Sequence, residues 1–313
     1  MQMALNIFLL ILGFVFLIQS AKIFVDASVE IAKRLRIPTM VIGLTVVAMG
    51  TSAPEVVISV SAAIGGSGDL AIANIVGSNI FNLLFIVGFC ALIYPISVKM
   101  KAISRDYWAS VAATVLLFVM IIVFGDVIPR FGGFILLAGF IAYMTVVVRS
   151  ALKNKTQGPD DDVPLRPLWK SITFAILGIA VIVGAGQLTV NSAINIATTL
   201  GITERVIGLT IVAMGTSLPE LVTTLIACRK KQGEFALGFI IGSSIFNIAF
   251  VLGLAGLITP LTIDPGVMTD MAVLAAGTLA FFLFAKSSER VVRIEGLTMM
   301  LIYVGYMAWV LLT

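Results

Sequence analysis

The chain has 313 residues, of which 60% are hydrophobic and only 12% charged, and its mean hydropathy is +1.13. Soluble globular domains usually carry about 25% charged residues, so this composition excludes them and predicts an integral membrane protein. Histidine is absent, which excludes imidazole metal sites and histidine general bases, and the net charge of +4 follows the loops and indicates no nucleic-acid partner.

Hydrophobic runs divide the chain into about ten segments, each long enough to cross a bilayer as a helix, which takes roughly 20 residues. Long apolar runs favour helices, since backbone polar groups in lipid must bond within their own segment. The predicted fold class is therefore an all-α integral membrane protein with ten transmembrane helices, at residues 3–24, 38–63, 70–93, 106–124, 131–149, 170–199, 205–228, 235–258, 267–285 and 293–312.

The sequence repeats itself at a constant offset. IGLTVVAMGTSAPE (42–55) and IGLTIVAMGTSLPE (207–220) differ at two positions, and GSNIFN (77–82) differs from GSSIFN (242–247) at one. Such self-similarity is typical of internal duplication. We predict a first five-helix repeat at 1–149, a linker at 150–169 and a second repeat at 170–313. Because five is odd, the second repeat enters the membrane inverted, as in secondary transporters.

Most lysines and arginines fall in the odd-numbered connections between the predicted helices. The positive-inside rule puts these connections in the cytoplasm. We therefore expect both termini to lie outside the cell and the central linker to lie in the cytoplasm.

Glu55 and Glu220 lie near the middle of apolar runs, where a charge costs about 2.5–3.5 kcal/mol on insertion scales. No arginine or lysine is expected at the same depth, so a bound cation or a proton is the remaining partner. Oxygen-bearing side chains occur nearby at the i, i+3 and i+4 spacing of one helix face. They are Thr51, Ser52, Ser78 and Asn82 in the first repeat and Thr216, Ser217, Ser243 and Asn247 in the second. Ca²⁺ takes about six to eight oxygen ligands, and two carboxylates would neutralise one such ion.

A proline precedes each glutamate. Pro54 and Pro219 lack an N–H, so the carbonyls of Gly50 and Gly215 lose their helical donors. Inside a membrane such carbonyls must find another partner or line a cavity. We predict that each proline releases backbone oxygen where the glutamate supplies charge. The alternative is that these residues only kink and pack helices, which explains two inverted copies less well.

Other polar residues have simpler explanations. Asn79 and Ser244 lie off the proposed face and are expected to form interhelical hydrogen bonds. A stripe at i, i+4 and i+8 spacing is expected to be a solvated helix end in the first repeat, at Lys22, Asp26 and Glu30. Its counterpart in the second repeat is uncharged, at Gln187, Asn191 and Asn195.

The paired G-T-S-x-P-E and G-S-x-I-F-N segments resemble the α-repeats of the cation/calcium exchanger superfamily, in the ten-helix prokaryotic form of its sodium/calcium exchanger branch. The resemblance spans the whole chain. It implies a plasma-membrane antiporter, not an enzyme, which exchanges Na⁺ for Ca²⁺ by alternating access and needs no cofactor. It also implies that the oxygen-bearing side chains above are ion ligands, together with the backbone carbonyls of Ala48 and Ala213, and that the first and sixth helices slide.

Some members of this family carry aspartate at the position of Asn247, whereas both repeats carry asparagine here. Exchange of Ca²⁺ or another divalent cation coupled to H⁺ or K⁺ is therefore an alternative, since buried carboxylates can titrate near neutral pH. The core of the proton-coupled branch differs, which favours Na⁺. An intramembrane hydrolase using Ser52 or Ser217 is a remote alternative, because serine with glutamate alone is a poor nucleophilic pair.

Overall fold

The computed structural model describes residues 2–98, 100–153, 166–201 and 213–312. Its helices are α1 Gln2–Leu35, α2 Thr39–Thr51, α3 Ala53–Ile64, α4 Gly68–Ile93, α5 Met100–Phe124, α6 Arg130–Lys153, α7 Leu168–Thr199, α8 Ala213–Gly215, α9 Leu218–Arg229, α10 Gly233–Ile258, α11 Val267–Ser288 and α12 Arg293–Leu312. Its strands are β1 Ile96–Ser97, β2 Val127–Ile128, β3 Leu261–Thr262 and β4 Arg290–Val291.

Within the described ranges, eight helices are long and apolar enough to cross a membrane, or nine if the bent pair α2 and α3 is one span. The chain is therefore a mostly helical, multi-pass integral membrane protein. The predicted helix 205–228 and the predicted linker both extend outside the described residues.

The predicted end of the first helix at residue 24 is wrong, because α1 continues to Leu35. The apolar run stops early, but the helix packs along α7 over its length, so its last turns keep their contacts. Asp26 forms an ion pair with Lys230, and Glu30 forms one with Arg166 at 3.2 Å. The carboxylates of the stripe on α1 are therefore paired, with Asp26 still exposed as expected and Glu30 partly buried.

Two helices form the centre of the bundle. In their most apolar stretches α4 is 72% and α10 is 94% buried, whereas the other long helices are 17–33% buried. Gly242 of α10 packs directly on the backbone of Leu44 in α2, which leaves no room for a Cβ. This close approach holds the bent pair α2 and α3 against α10.

Among the described residues, three segments of α2, α4 and α10 have the wider π-helical turn: Gly43–Val47, Phe81–Ile86 and Phe246–Leu252. A π-turn adds a residue to the helical repeat and occurs often at functional sites. Asn82 and Asn247 each stand second in such a segment, at the centre of α4 and α10.

Short antiparallel strand pairs mark the two ends of the molecule. β1 pairs with β4 at one end, and β2 pairs with β3 at the other. The first end, here called the basic end, includes Arg34, Arg36, Arg105, Arg166, Arg229, Lys230, Lys231, Arg290 and Arg293. The opposite end carries Asp69, Asp126 and Asp264. The sequence predicted none of the strands.

Candidate functional site

Two helix breaks build the site. The axis bends by 50° between α2 and α3, and Ser52 at the break has φ −79° and ψ 14°. Ser217, just before α9, has nearly the same backbone conformation, with φ −92° and ψ 10°. Pro54 and Pro219 are the second residues of α3 and α9, where a missing N–H is tolerated. A new helix therefore begins two residues before each glutamate.

Glu55 and Glu220 stand in the first turns of α3 and α9, and both are fully buried. The positive end of the helix dipole stabilises a carboxylate at this position. In the part of the chain that the structure describes, neither glutamate forms an ion pair. Nor do the described residues contain a cluster of three or more His, Cys, Asp or Glu side chains. Any cation held here would rely on two carboxylates and neutral oxygens.

Serine hydroxyls join the two halves of the site crosswise. Ser52 donates to Glu220 Oε1 at 3.1 Å, and Ser217 donates to Glu55 Oε1 at 3.3 Å. Ser52 and Ser243 are 2.8 Å apart at their Oγ atoms, and Ser78 and Ser217 are 2.9 Å apart. Each glutamate is therefore bound by the serine of the other helix break, so neither half of the chain completes the site alone.

Several buried polar atoms in the described residues have no hydrogen-bond partner: Glu55 Oε2, Glu220 Oε2, Asn82 Oδ1 and Nδ2, Asn247 Oδ1 and Thr223 Oγ1. An unpaired polar atom in an apolar interior is costly, more so when it is charged. Four of these six atoms are oxygens of predicted site residues, so the donor set matches the ligand preference of a hard cation.

Asn79 forms hydrogen bonds between helices, as expected. Its amide donates to the carbonyl of Ser244 at 3.2 Å and accepts a hydrogen bond from Asn247 at 3.1 Å. The hydroxyl of Ser244 instead bonds the carbonyl of Ile240 in its own helix, so the expectation is wrong for that side chain. Asn247 is consequently oriented by a neighbour, whereas the Asn82 side chain has none in the described chain.

The remaining predicted residues surround the breaks. Thr51 is fully buried, lies beside the Glu220 carboxyl, and donates to the carbonyl of Val47 at 3.1 Å. The Ala48 carbonyl accepts the Ser52 N–H at 3.1 Å, whereas the Ser217 N–H bonds Met214. Ala213 begins α8 and Thr216 follows that helix, so both adjoin the second break.

A cavity of about 80 Å³ reaches this second break, and Pro54, Thr216 and Pro219 are among the residues that line it. Gln187 and Asn191 of α7 line it as well, and both side chains are exposed and bonded to each other at 3.0 Å. In the sequence, the i, i+4 spacing of Gln187 and Asn191 was the pattern that singled out these residues.

Thr223 is a polar residue that the sequence analysis missed. It is fully buried one turn after Glu220, and its hydroxyl is unpartnered in the described chain. The i+3 spacing from Glu220 was the available signal. Its counterpart in the first half is Ile58, so a search for duplicated motifs does not find it.

The fold and the site define a class of protein, namely a multi-pass membrane protein with two buried carboxylates at paired helix breaks. The family model described as "sodium/calcium exchanger protein" matches residues 5–149 and 170–312. The chain therefore belongs to the sodium/calcium exchanger protein family, as the resemblance predicted.

Individual relatives are similar over most of their length. The sodium/calcium exchanger MaX1 of Methanosarcina acetivorans is 34% identical over 340 residues, which cover 96% of this chain and 97% of that protein. The inner membrane protein YrbG of Escherichia coli is 35% identical over 270 residues, which cover 82% and 81%. A structure of the sodium-calcium exchanger NCX_Mj soaked with Na⁺ and Ca²⁺ matches with a TM-score of 0.82 at 32% identity, covering 97% of this chain and 98% of that chain.

Proposed function

We propose that the protein is a secondary active antiporter that exchanges Na⁺ for Ca²⁺ across the cell membrane by alternating access. The observation that carries the proposal is the pair of fully buried glutamates, each bonded to the opposite helix break and without a described cationic partner. Membership of the sodium/calcium exchanger protein family supports it.

The ligand set follows from the buried oxygens. Ca²⁺ binds between Glu55 and Glu220, whose two charges neutralise it. The other ligands we propose are Thr51, Ser52, Ser78, Asn82, Thr216, Ser217, Ser243 and Asn247, with the carbonyls of Ala48 and Ala213. Because Na⁺ also prefers oxygen ligands, it competes for the same atoms. Binding of either ion then excludes the other, which is the requirement for exchange.

We further propose that the chain consists of two inverted five-helix repeats, at 1–149 and 170–313, with the linker 150–169 between them and ten membrane spans in all. Two separate matches to one family model and the constant offset between the motifs support this architecture. The concentration of basic residues at one end supports an orientation with the linker in the cytoplasm and both termini outside.

The two ends of the molecule differ in access to the site. The cavity beside Gln187 and Asn191 approaches Thr216 from the direction of the opposite end. At the basic end, Lys230 of the core joins α1 by an ion pair to Asp26 and a hydrogen bond to the Lys22 carbonyl. Alternating access would close the cavity and release this contact as α1 and α7 slide.

The test uses purified protein in liposomes loaded with Na⁺ and diluted into Na⁺-free buffer, with radioactive Ca²⁺ outside. We expect Ca²⁺ uptake that depends on the Na⁺ gradient and that an equal K⁺ gradient at matched pH does not support. Uptake driven by a proton or K⁺ gradient instead would contradict Na⁺ coupling and favour the alternative driving ions. If uptake follows Na⁺, Asn247→Asp tests whether a third carboxylate changes the number of Na⁺ ions exchanged.

A further inference from the structure

A groove at the basic end lies outside the candidate site. It has a volume of about 410 Å³ and runs between α1, α4 and α9. Its walls are apolar and include Phe14 and Ile18 of α1, Phe89 of α4 and Leu225 of α9. Phe14 and Ile18 are 39% and 38% exposed, so the groove opens on the surface that the bundle turns to lipid. Its volume falls in the range of small-ligand sites, roughly 300–1,000 Å³.

A second cavity of about 300 Å³ adjoins the groove at the basic end. Tyr94 lines both cavities and is 38% exposed. Tyrosine is typical of the depth at which lipid headgroups meet the hydrocarbon core. Arg229 lines the apolar groove and Lys231 lines the second cavity, so each cavity has one cation in its lining.

Neither cation has a polar partner among the described residues. The side chains of Arg229 and Lys231 form no ion pair or hydrogen bond with any residue that the structure describes, whereas Lys230 between them binds Asp26. Lys231 also has φ 60°, a left-handed conformation that is unfavourable for any residue with a Cβ. The equivalent residues in the first half are Ile64 and Gly66, so both charges are particular to this turn.

We propose that these two cavities bind an anionic phospholipid, with an acyl chain in the apolar groove and the phosphate within reach of Arg229 and Lys231. The apolar walls match a hydrocarbon chain, and the two cations, which have no partner in the described part of the chain, match a phosphate at the membrane surface. The bound chain contacts α1 and α9 together, so it braces the helix that carries Asp26 against the helix that carries Glu220. The inference does not depend on which ions the protein exchanges.

The test measures how much phosphatidylglycerol the full-length protein retains in detergent, by native mass spectrometry, with phosphatidylcholine as the neutral probe. Arg229→Gln and Lys231→Gln should each weaken retention of phosphatidylglycerol about fivefold, and the double variant about 25-fold, from the usual contribution of one basic residue near anionic lipid. Leu225→Trp should fill the groove and reduce retention of both lipids.

Arg293→Gln is the matched control, because Arg293 is exposed at the same end without a described partner and lies outside both cavities. It should retain phosphatidylglycerol like the parent protein. Unchanged retention in the double variant would overturn the proposal. Displacement of the lipid by inorganic phosphate at equal concentration would overturn it too, since the groove would then contribute nothing.

Discussion

Equivalent turns at the two ends of the molecule adopt the same left-handed backbone with different residues. Two pairs at the constant offset of the repeat combine a charged residue with a glycine: Arg36 (φ 55°) with Gly201 (φ 78°), and Lys231 (φ 60°) with Gly66 (φ 84°). In a third pair, Glu289 (φ 50°) and Gly125 (φ 66°) each directly follow the end of a long helix. The charged member always lies at the basic end. Glycine is the residue that this backbone favours. The duplicated halves therefore keep the same backbone conformation in these turns, while the residues in the turns differ with the environment at each end of the molecule.

The site between the ends shows the reverse. The residues that form it are the same in both halves at every predicted side-chain ligand position, and the serines reach across in matching pairs. Divergence at the ends and identity at the centre show that the surroundings of each residue, more than its place in the repeat, determine which changes are tolerated.

The largest effect should come from breaking the equivalence at the centre. Glu55→Gln and Glu220→Gln each remove one of two charges from the proposed cation site, so we expect each to lower Ca²⁺ uptake by proteoliposomes roughly 100-fold or more. Asp126→Asn, an exposed carboxylate at the opposite end, is the control and should transport normally. Substantial exchange by either glutamine variant would show that the two halves are not equivalent at the site.

The crossing of α2 and α10 provides the next test. Gly242→Ala would place a Cβ on the Leu44 backbone, which cannot move without shifting α2, so we expect a loss of about 1–3 kcal/mol in unfolding free energy. Gly139→Ala is the control, because Gly139 is exposed in α6 and no described atom lies within 4 Å of the added Cβ. Thermal unfolding in detergent measures both, and equal stability of the two variants would contradict the packing argument.

The residues in the left-handed turns can be substituted to test the effect of the backbone conformation directly. Lys231→Gly should stabilise the protein by about 1 kcal/mol, because glycine adopts this backbone without strain. Gly66→Ala should destabilise it by a similar amount, since its Cβ would meet no described atom within 4 Å and only the backbone cost remains. The same unfolding assay applies. Shifts of one sign in both variants would refute the conformational explanation.

The ion pair between α1 and α9 should have the smallest effect. Asp26 and Lys230 are 48% and 31% exposed, and exposed pairs contribute about 0–1 kcal/mol. We expect Lys230→Gln to change the rate of Ca²⁺ exchange by no more than about fivefold. The charge swap Asp26→Lys with Lys230→Asp should restore the rate. If the charge swap does not restore the exchange rate while Arg293→Gln exchanges at the parent rate, the effect of Lys230→Gln would come from the local charge and not from the ion pair.

The sequence predicted the helices well where an apolar run and a helix coincide, as in α4 and α10. It failed at the end of α1, whose charged turns remain helical through tertiary contacts with α7 and Lys230. The π-turns and the two-residue strands were not predicted, because their hydrogen bonds depend on neighbours that the local pattern does not contain.

The sequence indicated candidate residues for the site but not how they pair. Duplicated motifs identified the glutamates, serines and asparagines as a group. Which serine bonds which glutamate depends on how the two helix breaks face each other, and the structure pairs Ser52 with Glu220. The sequence analysis missed Thr223 because a search for repeats finds only residues that occur in both halves.

The strand pairs have a consequence for biosynthesis. β1 pairs with β4 and β2 pairs with β3, so each strand from the first half of the chain has its partner in the second half. A ribosome delivers β1 and β2 to the membrane well before their partners exist. The first half must therefore wait in the bilayer with open strand edges and without Ser217, the serine of the second half that binds Glu55. Its assembly finishes only when the last loops are made, so truncation late in the chain removes the partner of β1 as well.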